Sequence, residues 1–249
     1  MKEADTMHSP KTRRRCGGFT ILEMSVVLVV IALIIGAVSV GRDVYRSAMA
    51  ERIGSEFVQG WIIAYDRYVA QTGTVPGDDL ANPTGRVNGN GDPLCDQGST
   101  QRELRNAMLE RGVSLPAGRA EGQESRFVYQ DSRGIPQEIR VCFLTVTDWA
   151  EPSTGNAYTP RVRNVMRLEG LTPELANQLD ARIDGRIDAR FGRMREATPG
   201  SLQYRDVSAI GDPPQTYAWS RTEIQDASGG TNAPDDQSTR LVAYLKMNQ

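Results

Sequence analysis

From Phe19 to Val40 the chain is apolar at every position except Thr20, Glu23, Ser25, Gly36 and Ser39. About 20 apolar residues in a row cross a bilayer core as one helix, so the stretch predicts a transmembrane segment. Lys11, Arg13, Arg14 and Arg15 precede it, and the positive-inside tendency keeps that end in the cytoplasm and sends the rest outward. A secretory signal peptide has the same basic and apolar parts, but its small-residue cleavage site follows the apolar run. Here the small pair Gly17-Gly18 lies before it. A cut there removes the basic leader and leaves the helix in place. Cys16 also precedes the run, the wrong position for lipid acylation. Glu23 is the anomaly, because a carboxylate at mid-membrane costs roughly 2.5 to 3.5 kcal/mol and less near an interface. Such a group is retained for a partner or a function.

The stretch "GGFTILEMSVVLVVIALIIGAV" resembles the prepilin signal shared by type IV pilins, type II secretion pseudopilins and related filament subunits. The resemblance implies cleavage by prepilin peptidase after Gly18, N-methylation of the new amino terminus at Phe19, and an assembly role for Glu23, the fifth mature residue. In the family this glutamate pairs with the free N-terminal amine of an adjacent subunit and sets the axial register. The plain alternative is a glutamate that snorkels to the headgroups. Partners implied by the resemblance are other pilin subunits through helix packing, the prepilin peptidase and an inner-membrane assembly platform. The implied location is the inner membrane, single-pass with a cytoplasmic N-terminus and a periplasmic head, and then a pilus or pseudopilus.

Past Val40, apolar residues at Val44, Ala48, Phe57, Trp61, Tyr65 and Tyr68 recur at helical spacings and mark one face, with Gly73 as the stop. A helix from Thr20 to Gln71 would be about 75 to 80 Å long. "TGTVPGDDLANPTGRVNGNGDPLCDQGS" reads as a long loop. Thr100 and Glu103 form a capping-box pattern before a short helix that ends at Gly112. "RFVYQD" and "EIRVCFLTVT" predict a strand pair, and "QTYAWSR" and "TRLVAYLKM" predict closing strands. Thr172 and Pro173 open another helix as N-cap and first helical residue. The expected fold is α+β and pilin-like, a long N-terminal transmembrane helix packed on a C-terminal antiparallel sheet head. Its parts are a leader over 1–18, a transmembrane half-helix over 19–40, a periplasmic amphipathic half over 41–72 and a globular head over 73–249.

The single histidine, His8, lies in the leader, so a processed chain has none for a catalytic triad or a zinc site. Acids are plentiful, but no spacing singles out a pair for acid–base work, and the reading is a structural protein rather than an enzyme. Cys16 leaves with the leader, while Cys95 and Cys142 would face an oxidising compartment. One disulfide between them is expected, with two separate thiols as the alternative.

"NGNGDP" offers oxygen ligands at Asn88, Asn90 and Asp92, with Asp78, Asp79 and Asp96 nearby. Calcium takes six to eight such oxygens, but Pro93 and Ser99 break the EF-hand pattern. The expectation is a plain turn-rich loop with no metal or cofactor, and a calcium loop is the alternative.

The leader holds five basic residues against two acids, so removing it takes a formal net charge of -2 to -5. An acidic exterior predicts no nucleic-acid partner. In "RIDGRIDARFGRMRE", Asp184, Gly185, Asp188 and Gly192 resemble a late pilin segment of Asp-rich turns, from which Ala189 and Arg190 depart. The interleaved acids there predict a solvated face. The functional expectation is a minor pilin-like filament subunit, against a secretion pseudopilin or a pilin-mounted adhesin or ligand-binding head.

Overall fold

The computed structural model describes residues 20–97, 101–153, 158–197, 217–219 and 240–248. The chain divides into two compact units at Tyr45/Arg46. Helix α1 spans Ile21–Arg52 and buries none of its residues. Leu22, Leu28, Leu33 and Ile35 are all more than 60% exposed. This is the one helix among the described residues long and apolar enough to cross a membrane. A surface of that kind is stable only in lipid or against other apolar helices.

In the second unit the chain continues through a π-helical turn, Ile53–Val58, into helix α2, Gln59–Thr72. Ile53, Phe57, Trp61, Tyr65 and Tyr68 are buried at spacings of four, four, four and three. Each four-residue step overshoots an α-helical turn by about 40°, so a stripe of this spacing drifts off the core. The wider π turn, with its i→i+5 bonds, absorbs that overshoot. The predicted face is therefore corrected at its start: Val44 and Ala48 are exposed, and burial begins at Ile53. Gly54 sits where helix α4 (Pro173–Asp184) crosses, and a Cβ there would come within 2.9 Å of Arg182 Cδ. Gly73, at φ 73°, ends α2 as expected.

The helix packs on an antiparallel sheet, so the fold is α+β and pilin-like. Its strands are β1 Leu94–Gln97, β2 Gln101–Arg102, β3 Arg126–Gln130, β4 Pro136–Pro152, β5 Tyr158–Leu171, β6 Met194–Glu196 and β7 Leu241–Lys246. The order is β2-β1-β4-β5-β7-β6, and β3 borders β4 beside β1. Alternation along β4 splits the sheet into two faces. Ile139, Val141 and Phe143 face the helix, where the Phe143 ring lies 6.1 Å from Trp61 and 5.0 Å from Tyr65. Glu138, Arg140 and Cys142 point the other way. Farther along, Leu144 joins Val165, Tyr244 and Trp149 in a second, smaller core.

The predicted strand pair is β3 with β4, and β4 is longer at both ends than expected. β7 is the predicted final strand. Strand β5 was not foreseen, and the long loop ends in β1. Tyr217–Trp219, inside the predicted strand "QTYAWSR", is in no strand; the rest of that stretch lies outside the described residues.

Helix α3, Glu103–Leu109, has its Arg105 N–H bound by Asp96 Oδ1 at 3.0 Å. A Thr100–Glu103 capping box would serve the Glu103 N–H instead; the helix starts at Glu103, so the amide that Asp96 caps is its third, and Thr100 itself lies outside the described residues. Helix α4 begins as predicted, with the Leu175 N–H donating to Thr172 Oγ1. The Tyr129 hydroxyl fixes its approach, donating to the Gly170 carbonyl and accepting from the Thr172 N–H, both at 2.9 Å.

Candidate functional site

Thr20 is the cap of α1. Its hydroxyl accepts the Glu23 N–H at 3.2 Å, and its carbonyl accepts the Met24 N–H at 3.1 Å. Ser25 returns its hydroxyl proton to the Leu22 carbonyl at 2.7 Å. Two polar exceptions in the apolar run are thus satisfied by their own backbone, as lipid requires. Glu23 is different: among the described residues its carboxylate has no partner. It occupies the third position of the helix, where the N-terminal dipole favours an anion. Phe19 immediately precedes the cap, so an amine created there by cleavage falls at the same end of the helix as Glu23. Gly18 and Phe19 themselves lie outside the described residues.

Residues 13–39 match the family described as the prokaryotic N-terminal methylation motif. The segment is a prepilin-type signal. It contains Gly18, Phe19 and Glu23 together with Arg13, Arg14 and Arg15 before them and most of the apolar run after them. No curated protein and no solved structure matches the chain. The prepilin-type signal is therefore the part of the molecule with a recognised counterpart, and the head has to be read from its own chemistry.

In the head, Cys95 and Cys142 stand directly opposite each other on β1 and β4 and are joined as a disulfide, with Cα atoms 4.6 Å apart. The bond closes the loop that follows α2. That loop is organised around Asp78, a nearly buried carboxylate. It accepts the N–H groups of Asp79, Thr84 and Gly85 at 2.8–2.9 Å and the Thr84 hydroxyl at 3.0 Å. Burial pushes its acidity one way, but these donors together outweigh it and hold the carboxyl below the usual range.

The sheet clasps the same loop from outside. Thr145 Oγ1 accepts the Val87 N–H at 2.9 Å and donates to Asn164 Oδ1 at 2.6 Å, while Asn164 Nδ2 donates to the Gly85 carbonyl at 3.0 Å. Of the three calcium candidates, Asn90 and Asp92 are brought together, bonded to each other through Asn90 Nδ2 at 2.6 Å and the Asp92 N–H at 2.9 Å. Asn88 takes a left-handed turn at φ 56°. Among the described residues no group of three or more His, Cys, Asp or Glu is arranged to hold a metal ion.

The segment after α4 is not the solvated face its interleaved charges predict. Asp188 is buried, and its Oδ1 accepts the N–H groups of Arg190 at 3.0 Å and Phe191 at 3.3 Å. Asp184 Oδ2 accepts the Met194 N–H at 2.9 Å. A Cβ on Gly192, at φ 93°, would collide with that same oxygen.

Asp180, fully buried on α4, was missed by sequence reasoning. Its Oδ2 accepts the Asp188 N–H at 2.7 Å and the Trp219 indole N–H at 2.9 Å. Burial, opposed by those donors and reinforced by neighbouring Asp184, pushes the Asp180 carboxyl up to about 7. Its other oxygen has no donor, which suits the oxygen that carries the proton. The available signal was the recurrence of acids at 180, 184 and 188, one helical turn apart.

Proposed function

We propose that this chain is a structural subunit of a type IV filament, a minor pilin-like protein rather than an enzyme. In this reading prepilin peptidase cuts after Gly18, Phe19 is methylated, and α1 moves from the inner membrane into a packed helical core. The observation that supports it most is the prepilin-type signal on a helix whose apolar run is exposed along its length and whose carboxylate within that run, Glu23, has no partner among the described residues. Lipid and neighbouring helices are the two environments that satisfy such a surface, and a neighbour's amine satisfies Glu23.

Mass spectrometry of the mature protein tests the reading. The expected N-terminus is a methylated Phe19, and Gly18→Ala should block or slow its appearance, because the added Cβ meets a peptidase selective for a bare residue. A terminus beyond Val40 would refute it. A type II secretion pseudopilin shares every feature of the signal. Deletion of the gene separates the two: loss of surface pili supports the pilus subunit, and loss of secreted proteins with pili intact supports the pseudopilin.

A further inference from the structure

The outer face of the sheet, away from the helix, carries a groove of about 480 Å³ that the filament reading does not use. Its cationic lining is Arg119, Arg140 and Arg240, and its acids are Glu138 and Glu169. Glu138 is held by three guanidiniums at once: Arg119 at 2.8 Å, Arg140 at 3.0 Å and Arg126 at 3.4 Å. These arginines and the burial they offset leave Glu138 ionised below the usual carboxylate range. Glu169 pairs with Arg167. Arg240 has no carboxylate partner among the described residues.

Counting the two arginines that reach in from the rim, five positive charges meet two negative ones on a chain whose mature side chains total -5. The surplus is presented outward, since the Arg119 and Arg140 side chains are 52% and 53% exposed. Each guanidinium has five donors, far more than Glu138 can accept. Between the arginines the floor is apolar, made by Val128, Pro136 and Val242, with Val128 left 41% exposed.

We infer that this groove docks an extended acidic peptide segment of a partner protein. Carboxylates fit the spare forks of Arg119, Arg140 and Arg240, and aliphatic side chains of the same segment cover Val128 and Val242. β3 borders the groove and, among the described residues, pairs with β4 alone. Its other edge is taken at Arg126, whose carbonyl accepts the Arg119 N–H at 2.7 Å and whose N–H donates to the Gln123 carbonyl at 3.2 Å, which leaves the stretch from Val128 onward for a strand-like ligand. A nucleic acid fits less well, because Glu138 and Glu169 lie within the groove and would face a backbone charged at every unit. A peptide places neutral side chains at those points. The inference does not depend on the filament reading.

The test uses the full mature chain in detergent and a fluorescein-labelled Glu-Val-Glu-Val-Glu-Val peptide, with a Gln-for-Glu version and an oligothymidylate as comparators. Saturable binding that weakens with salt is expected, with the Gln version at least about ten-fold weaker. Arg240→Glu breaks no ion pair among the described residues and should weaken binding about five-fold or more at an unchanged thermal midpoint. Val128→Asp should weaken it similarly without touching an arginine. Absence of saturable binding, or full affinity in both variants, would overturn the proposal. So would oligothymidylate binding more tightly than the peptide, which would make the groove a nucleic-acid site.

Discussion

The indole N–H of Trp219 donates a 2.9 Å hydrogen bond to Asp180, across 39 residues of sequence. The same carboxylate oxygen holds the Asp188 N–H. One buried acid thus ties the end of α4, the turn that follows it and the Tyr217–Trp219 segment into a single cluster. The turn is held at a second point, where the Ala189 N–H donates to the Tyr217 carbonyl at 2.8 Å.

This cluster makes stability depend on pH with a definite sign. The folded value of Asp180, about 7, lies above the unfolded value near 3.9. Between those values the folded state holds a proton that the unfolded state has released. The contribution is therefore complete below about pH 4 and is lost as pH rises toward 7. Asp180→Asn keeps an acceptor for Trp219 and Asp188 and gives Asp184 a permanent donor. It should match wild type near pH 4 and be more stable near pH 8 by about 2 to 4 kcal/mol. Denaturant midpoints at the two pH values check this; parallel loss in both proteins would assign the pH dependence elsewhere. Glu151 acts in the opposite sense, held at about 2, chiefly by its hydrogen bond to Arg163 with help from Lys246. Its contribution is lost only as pH falls from about 4 toward 2.

Asp78→Ala should destabilise the head by about 2 to 4 kcal/mol, because three N–H groups and one hydroxyl lose their acceptor in a nearly closed loop. Proteolysis should then begin between Asp79 and Asn90. Adding calcium to the wild-type protein should leave the thermal midpoint in place, since Asp78, Asn90 and Asp92 already accept protein donors. A calcium-dependent rise of several degrees would instead identify the loop as a cation site.

Cys142→Ser opens a cross-link between residues 47 apart in sequence. The expected loss is about 2 to 4 kcal/mol, mostly through greater freedom of the unfolded chain. Midpoints measured with and without reductant should converge for the variant and differ for wild type. Equal midpoints for reduced and oxidised wild type would show that the Thr145–Asn164 clasp holds the loop unaided.

The elements legible in the sequence share one property, a pattern set by nearest neighbours. The apolar run, the β3–β4 pair, β7 and the Thr172–Pro173 start of α4 all follow from local spacing or capping. The disulfide was reached by elimination among three cysteines. Strand β5 was hidden because its outward residues include Arg163, Arg167 and Glu169, whose partners lie across the sheet or two residues along the strand. The π turn was hidden because four-residue steps look helical over any short window. Asp180 and the groove were hidden for a common reason: burial of an acid beside Trp219, and convergence of Arg119 and Arg140 on Glu138, depend on how distant segments meet. Interleaved charges look solvated until the fold shows what they grip.

Glu23 separates insertion from assembly. Glu23→Ala should leave membrane insertion intact or improved, because it removes a charge that costs up to roughly 2.5 to 3.5 kcal/mol in lipid. The helix start should also survive, since the Thr20 hydroxyl caps the residue-23 N–H whatever its side chain. Assembly is where the loss is expected. A neighbour's amine at Phe19 would enter the apolar core without its counter-ion, and breaking a buried pair in this way typically costs about 3 to 5 kcal/mol. Processed monomer should therefore accumulate in the inner membrane while the sheared filament fraction is depleted. Glu23→Gln distinguishes charge from hydrogen bonding: if charge matters it should fail as Ala does, and if a hydrogen bond suffices it should assemble. Quantifying each variant in membrane and sheared fractions, with cleavage confirmed, decides between them. Wild-type incorporation of both variants would make Glu23 a helix-start residue serving the dipole, with register set elsewhere along α1.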